Sequence, residues 1–219
     1  MRYRTLTLAS IFTATMLALV AAIASGRFPA GAQLPVHWNV AGEADRFIDA
    51  TRALFMPVAL CAALSLIMNI LPRIEPMQNR MEASASLFKT SWAGLLMMMV
   101  MLELIIAAPA FGIKAPDMLP LAGTGILLIL IGNALPKSRP GFFVGIRTPW
   151  TLMDPDNWIA THRIGAWTMI GGGGVILLTS LASIPPHARA IVVGGAIVFA
   201  VVPPMLYSYF HWRHHGRAR

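Results

Sequence analysis

Few side chains in this sequence could do chemistry, and they lie far apart along it. His37 and His162 could carry protons, Glu103 could hold a proton, and Cys61 is the single cysteine. One cysteine permits no intramolecular disulfide and no Cys-x-x-Cys metal site. Most of the remaining titratable residues fall between long apolar runs, so their position relative to those runs decides what each can do.

No catalytic motif surrounds these residues. The sequence contains no nucleophile elbow, zinc-protease motif, phosphate-binding loop or dinucleotide-binding fingerprint. His211, His214 and His215 lie close together, but this spacing does not secure the geometry of a metal site, and a basic lipid-facing anchor is the preferred interpretation. We therefore expect no enzyme activity, no cofactor and no bound metal.

The composition indicates an integral membrane protein. Hydrophobic residues make up 57% of the chain and charged residues 12%, whereas soluble domains carry about 25% charged residues. The net charge of +8 could suggest nucleic-acid binding. However, the basic residues cluster at the ends of apolar runs, where they orient helices in a membrane, so we expect no direct contact with nucleic acid.

Six apolar runs are long enough to cross a bilayer as helices. They lie at about 5–25, 53–71, 91–110, 118–135, 164–184 and 190–210. The first run could be a cleavable signal peptide, since Arg2 and Arg4 precede it, but its length favours a retained helix. The predicted fold is an all-α polytopic membrane protein with about six transmembrane helices.

Lysine and arginine are distributed unevenly between the two sides of these spans. One side holds Arg2, Arg4, Arg73, Arg80, Lys89, Lys137, Arg139, Arg147, Arg163, Arg213, Arg217 and Arg219. The other side holds Arg27, Arg46, Arg52, Lys114 and Arg189. Because the richer side is usually cytoplasmic, both termini and the 133–163 loop are predicted to face the cytoplasm. The 26–51 loop then faces outward, so His37 and His162 cannot share a site.

Glu103 lies in the methionine-rich third run, 11 residues from Trp92 and therefore about 16 Å deep, near the bilayer middle. A carboxylate there costs about 2.5–3.5 kcal/mol. It could be a proton-sensitive or ligand-contacting group. Alternatively, it could be protonated and bonded to a neighbouring helix through Asn69, Thr124 or Thr179.

Glycine and proline mark two further spans. The run Gly171–Gly174 lies inside the fifth span, where it could allow close helix packing or break the helix. Close packing is the preferred interpretation. Pro203 and Pro204 predict a kink in the last span.

The 133–163 loop is rich in glycine, proline, tryptophan and arginine. Its prolines stiffen the backbone, and Asp154 followed by Pro155 predicts the start of a helix. Trp158 and His162 are four residues apart, so they share a face of that helix. The tryptophans could form an interfacial belt, or the loop could be a docking surface.

Two parts of the sequence resemble known families. The runs Gly132 to Lys137, Gly145 to Thr151 and Trp158 to Arg163 resemble the signature of the SdpI family of bacterial immunity proteins. The residues concerned are Asn133, Pro136, Gly145, Ile146, Arg147, Thr148, Pro149, Trp150, Trp158, His162 and Arg163. The outer loop resembles a DUF1648 domain through Pro35, His37, Trp38, Asn39 and Gly42, within a predicted extended piece from Leu34 to Val40 that ends in a turn at Gly42.

These resemblances imply a DUF1648-like region at 1–75, with two spans and the outer loop. An SdpI-like region follows at 76–219, with four spans and the cytoplasmic loop. They also imply a multi-pass protein of the bacterial cytoplasmic (inner) membrane that protects the cell from a secreted peptide toxin. The toxin would meet the outer loop, and the cytoplasmic loop would hold a winged-helix autorepressor or support the surface on which it docks.

Other functions stay open at the level of sequence. A small proton-coupled transporter or permease could be built around Glu103, in which case changes in the loop would matter little. A membrane scaffold without a ligand is a third possibility, with the loop only packing against the helix bundle.

Overall fold

The computed structural model describes residues 3–76 and 78–215, without the side chains of 78–80 and 215. Several residues used in the predictions above therefore lie outside the described part of the chain. They are Arg2, Arg217 and Arg219, together with the side chains of Arg80 and His215.

Six long apolar helices make up most of the described chain, which confirms the predicted all-α polytopic membrane fold. In chain order they are α1 (Arg4–Ser25), α2 (Ala50–Ile74), α4 (Ala85–Ala107), α5 (Leu119–Ala134), α7 (Pro155–Leu181) and α8 (Pro186–His215). Two short helices, α3 (Gln78–Ala83) and α6 (Pro149–Met153), lie between them. Strands β1 (Gln33–Trp38) and β2 (Ala44–Asp49) form a hairpin between α1 and α2.

Alternation of the helices gives the bundle two ends. We call the end that holds the start of α1, the end of α8, α3 and α6 the terminal face. The end that holds the β hairpin and the connections α4–α5 and α7–α8 is the hairpin face. The basic-rich connections identified from the sequence lie on the terminal face, and the predicted outer loop lies on the hairpin face.

Helix α7 packs between α5 and α8 through glycine. A β-carbon at Gly173 would lie 2.6 Å from the backbone oxygen of Gly125 on α5, and one at Gly172 would lie 2.7 Å from that of Ala196 on α8. The helix runs unbroken through this glycine run. Close packing is therefore confirmed, and a helix break at this depth is excluded.

A proline inside α8 frees a backbone acceptor that α7 uses. Pro204 has no N–H, so the carbonyl four residues earlier, at Ala200, has no helical partner. The Thr168 hydroxyl of α7 donates to that Ala200 oxygen at 3.1 Å. The proline thus creates a hydrogen bond between two membrane spans.

The other half of the bundle consists of α1, α2 and α4, and α4 also packs on α5. Trp92 is buried in α4 and its indole N–H donates to the Ser10 hydroxyl of α1 at 2.9 Å. Phe88 packs edge-on against both Trp92 and Tyr3. These contacts fix the start of α1 against the start of α4.

Candidate functional site

The loop between α5 and α7 is organised around a buried histidine. His162 is 1% exposed, and its Nε2 accepts the backbone N–H of Ile146 at 2.9 Å. Its Nδ1 lies 2.8 Å from the carbonyl oxygen of Trp158, to which it must donate. Because one ring nitrogen accepts and the other donates, His162 is the neutral Nδ1–H tautomer. It positions the loop backbone.

Trp158 and Gly145 complete this contact. The rings of Trp158 and His162 stack with centroids 4.1 Å apart, and Trp158 is fully buried. Gly145 has a φ of +124°, and a β-carbon there would lie 2.5 Å from the Trp158 ring. Only glycine fits, since the position combines a left-handed backbone with close ring contact.

Threonines next to Pro149 tie the loop to α8. Thr148 and Thr151 form a reciprocal capping box at the start of α6. The Thr148 hydroxyl also donates to the Ser208 hydroxyl at 3.0 Å, and the Asn157 amide donates to the Ser208 backbone oxygen at 2.8 Å. The loop, α7 and α8 therefore meet at Ser208.

The opposite end of the loop is tied to the connection between α2 and α4. The buried Glu75 carboxylate accepts the backbone N–H groups of Phe142 and Phe143, each at 3.1 Å. Ser84 exchanges two hydrogen bonds with the Arg139 backbone, at 2.9 and 3.0 Å. The loop is thus attached to both halves of the bundle.

The predicted loop residues divide into buried supports and exposed groups. Trp158, His162 and Thr148 are buried and act within the protein. Trp150 is half-buried against the Tyr209 ring, with centroids 5.0 Å apart. Those exposed on the terminal face are Asn133, Pro136, Arg147, Pro149 and Arg163. Ile146 and Gly145 are half-buried.

Among these exposed residues, Arg147 has a side chain whose orientation is fixed by a hydrogen bond. Its guanidinium donates to the Phe142 backbone oxygen at 2.8 Å, which holds the side chain across the loop. This contact leaves other guanidinium N–H groups for a partner.

On the hairpin face, Asn39 closes the turn between the strands. Its side-chain oxygen accepts the N–H groups of Ala41 and Glu43, at 2.9 and 3.0 Å. Gly42 takes a φ of +80° in that turn, as the sequence predicts. His37 pairs with Asp45 across the exposed outer surface of the hairpin.

The turn is held against α8 by Arg189. This buried guanidinium donates to the backbone oxygen of Ala41 at 3.0 Å and to that of Ile184 at 3.0 Å. Trp38 and Gly42 then border a cavity of about 160 Å³, whose other walls include Ile176 and Val193. Pro35 is half-buried in β1 and pairs with Phe47.

The partners of Glu103 differ from those that the sequence predicts, whereas its depth in the bilayer stays a prediction. The residue lies five residues, or about 8 Å, past the middle of the Ala85–Phe111 span, toward the hairpin face. It is fully buried, and neither carboxyl oxygen has a hydrogen-bond partner among the described residues. The predicted bond through Asn69, Thr124 or Thr179 is therefore wrong.

Two of those expected partners are already engaged elsewhere. Asn69 accepts the Thr7 hydroxyl at 2.6 Å on the terminal face, and Thr124 donates to Pro120 of its own helix. Thr179 belongs to α7, whose principal neighbours are α5 and α8. Met99 and Ile106, one turn to either side of Glu103, pack against residues of α1 and α2, so the carboxyl faces that apolar layer.

Sequence reasoning missed several residues that hold the two sites together. They are Glu75, Ser84, Ser138, Asn157, Arg189 and Ser208. Arg189 carried a usable signal, because it is a cation at the start of an apolar span. Ser208 carried none, since a serine inside an apolar helix commonly bonds to its own backbone.

Comparison with known proteins singles out the same loop and the helices that follow it. Residues 137–208 match the SdpI/YfhL protein family, a range that contains α6, α7 and the Thr148–Ser208 contact. The predicted resemblance to the SdpI family is confirmed. Immunity protein SdpI of Bacillus subtilis (strain 168) is 29% identical over 91 residues. No solved structure matches the chain.

The SdpI match covers part of each protein. The aligned residues are 42% of this chain and 43% of the relative, so the alignment spans less than half of that curated protein. The family match begins at residue 137, after α5. The DUF1648 resemblance and the division at residue 75 stay predictions.

Proposed function

We propose that this protein is an immunity protein of the bacterial cytoplasmic membrane that protects the cell from a secreted peptide toxin. The observation that carries this proposal is the coincidence of the SdpI/YfhL match with the structurally fixed loop–α7–α8 unit. The relative's name, Immunity protein SdpI, supplies the function. The exposed Arg147, whose side chain is fixed by its bond to the Phe142 oxygen, favours a docking role over a scaffold without a ligand.

The hairpin face is the proposed toxin-contacting surface. The cavity beside Trp38 measures about 160 Å³, enough for one apolar side chain but not for a peptide backbone. We expect a hydrophobic toxin residue to enter there, between the hairpin turn and the ends of α5, α7 and α8. The exposed His37–Asp45 pair would remain at the rim.

The terminal face is the proposed docking surface for a winged-helix autorepressor. Arg147 and Arg163 are exposed there beside Pro149, and Trp150 is half-buried. Arginine and tryptophan dominate the energetic hot spots of protein interfaces. Trp158 and His162 would act indirectly, because they are buried and hold the loop backbone.

Helix α8 offers a physical connection between the two surfaces. Arg189 near its start binds the hairpin turn at Ala41, and Ser208 near its end binds Thr148 under the loop. Coupling requires two states that the toxin and the repressor prefer differently. A shift of α8 on toxin binding would alter both contacts together.

Immunity is tested by survival. Cells that are sensitive to the toxin of an SdpI-type system would express this chain or an empty vector, and killing would be measured over a range of toxin doses. We expect protection by the intact chain. Equal killing in both strains, with the protein present in the membrane fraction, would reject immunity against that toxin.

Repressor capture is tested separately. A co-expressed autorepressor should move to the membrane fraction when toxin is added. Arg147→Ala should reduce this movement at unchanged protein level, whereas Arg213→Ala removes an exposed charge on the same face outside the loop and should not. Capture that survives Arg147→Ala contradicts the proposed role of the loop.

A proton-coupled transporter centred on Glu103 is the alternative function. The observation in its favour is the fully buried carboxyl without a hydrogen-bond partner among the described residues. Against it, the cavity beside this part of α4 is lined almost entirely by apolar side chains, including Met101 and Leu104. Loss of an uptake or efflux activity in Glu103→Gln, with protection unchanged, would favour transport.

A further inference from the structure

A polar cavity opens on the terminal face between α1 and α2. It has a volume of about 480 Å³ and is bordered by Arg4, Arg73, Thr7, Asn69 and Met68. This volume falls in the range of small-molecule sites, about 300–1,000 Å³. None of these residues belongs to the loop or to the hairpin contacts described above.

The described lining of the cavity is positively charged, and its two arginines have no partner among the described residues. Neither Arg4 nor Arg73 makes a hydrogen bond or ion pair within the described part of the chain, and no carboxylate is among the described residues that line the cavity. The Lys89 ammonium lies 6.0 Å from the centre of the Tyr3 ring, at the edge of the same cavity. Two arginines therefore border the cavity without a described group that neutralises them, and a lysine lies near its Tyr3 wall.

The floor of the cavity is ordered and retains a free donor. The Thr7 hydroxyl donates to the side-chain oxygen of Asn69 at 2.6 Å, and the Asn69 amide donates one hydrogen to the Ser65 backbone oxygen at 2.8 Å. An amide group has two hydrogens. The second hydrogen of Asn69 has no acceptor among the described residues and is available to an oxyanion.

The depth of the cavity matches a lipid headgroup. Arg4 is the first residue of α1, and Arg73 lies in the last turn of α2, so both guanidinium groups lie at the boundary of the apolar spans. Met68 forms an apolar wall farther in. Basic pockets at the ends of transmembrane helices bind the phosphate groups of lipids, and arginine binds phosphate in a bidentate manner.

We propose that this cavity binds the headgroup of an anionic phospholipid, with its phosphate between Arg4 and Arg73 and a headgroup oxygen on the Asn69 amide. The described lining carries two arginines and no carboxylate, so its net charge favours a headgroup whose phosphate charge is not offset by an ammonium. The site therefore selects net negative lipids. This assignment does not depend on the immunity proposal, because it rests on a different part of the molecule.

The test uses the full-length protein in detergent, with retained lipids counted by native mass spectrometry. Phosphatidylglycerol and phosphatidylcholine of identical acyl chains are offered at equal concentration. We expect one phosphatidylglycerol to be retained at least about tenfold more tightly than phosphatidylcholine, with the preference declining at high salt. Equal retention of the two lipids overturns the proposal without recourse to any variant.

Substitutions of the two arginines test whether the lipid binds at this cavity. Arg4→Gln with Arg73→Gln should remove the preference, and Arg4→Lys with Arg73→Lys should retain part of it, because the charge remains but the bidentate geometry is lost. Arg46→Gln with Arg52→Gln removes two exposed charges from the hairpin face and should leave the preference unchanged.

Two results would contradict the variant series. An undiminished preference in the glutamine pair places the lipid elsewhere. Displacement of the lipid by millimolar inorganic phosphate would identify a soluble anion as the occupant and overturn the lipid assignment.

Discussion

At the scale of single residues, Gly145 is the position where the loop tolerates least change. Gly145→Ala would place a methyl group 2.5 Å from the Trp158 ring at a φ of +124°. Strain of this kind costs about 1–3 kcal/mol before the ring contact is counted. We expect the thermal midpoint of the purified protein to fall by about 5 °C or more.

Gly141→Ala is the matched control in the same loop. A β-carbon there meets nothing closer than the Arg139 backbone oxygen at 3.6 Å, which is ordinary contact. Its thermal midpoint should stay near that of the unmodified protein. Equal melting of the two variants would mean that the stacked Trp158–His162 pair does not confine the loop.

Substitution of Glu103 should have the opposite effect and raise the thermal midpoint. The carboxyl is fully buried and has no hydrogen-bond partner among the described residues, and a carboxylate at membrane depth costs about 2.5–3.5 kcal/mol. Glu103→Leu should therefore raise the thermal midpoint by about 5 °C. Met99→Leu changes the same face of α4 without changing charge and should have little effect. A lower midpoint in Glu103→Leu would show that the carboxyl has a stabilising partner in the native protein.

At the scale of elements, neighbouring glycines of α7 should differ in how well they tolerate a side chain. A β-carbon at Gly173 would lie 2.6 Å from a backbone oxygen of α5, whereas one at Gly174 would meet nothing within 4 Å. Gly173→Ala should destabilise the bundle, since backbone cannot yield as a side chain can. Gly174→Ala should be neutral or stabilising by up to about 1 kcal/mol, because alanine favours helix. Thermal melting of both variants measures this, and similar losses would contradict close packing at Gly173.

The elements themselves were predictable because their signals are local. Six apolar runs predict six spans, and Asp154 before Pro155 predicts where α7 begins; the Asp154 carboxylate does accept the Asp156 N–H at 2.9 Å. The turn at Gly42 was also predictable from the sequence. Each of these depends on residues that are neighbours in the chain.

The supports of the loop were not predictable, because they depend on distant segments. Glu75 binds backbone groups that lie 67 and 68 residues away, and Ser84 binds a backbone 55 residues away. A carboxylate in a short polar connection has the same sequence appearance whether it is solvated or buried. The sequence also did not mark where α4 begins, since the predicted apolar run starts at about residue 91 and the helix spans Ala85–Ala107.

At the scale of the whole molecule, both surfaces contact the same helix, α8. The helix holds the hairpin turn at Arg189 and the loop at Ser208, so neither contact can move far without the helix. The glycine contacts of α7 allow α8 to approach closely. The orientation of the whole bundle in the membrane decides whether the proposed relay is possible, because a relay across the membrane needs the two faces on opposite sides.

Orientation is testable with single cysteines, since Cys61 is the single cysteine and is buried. In a Cys61→Ala background, Arg46→Cys on the hairpin and Arg147→Cys on the loop replace exposed residues on opposite faces. The excess of lysine and arginine on the terminal face predicts that this face is cytoplasmic. A membrane-impermeant maleimide should therefore label position 46 in intact cells, and position 147 only after the cells are permeabilised. Labelling of position 147 in intact cells would mean that the bundle has the opposite orientation in the membrane. A cytoplasmic repressor could then not reach the loop.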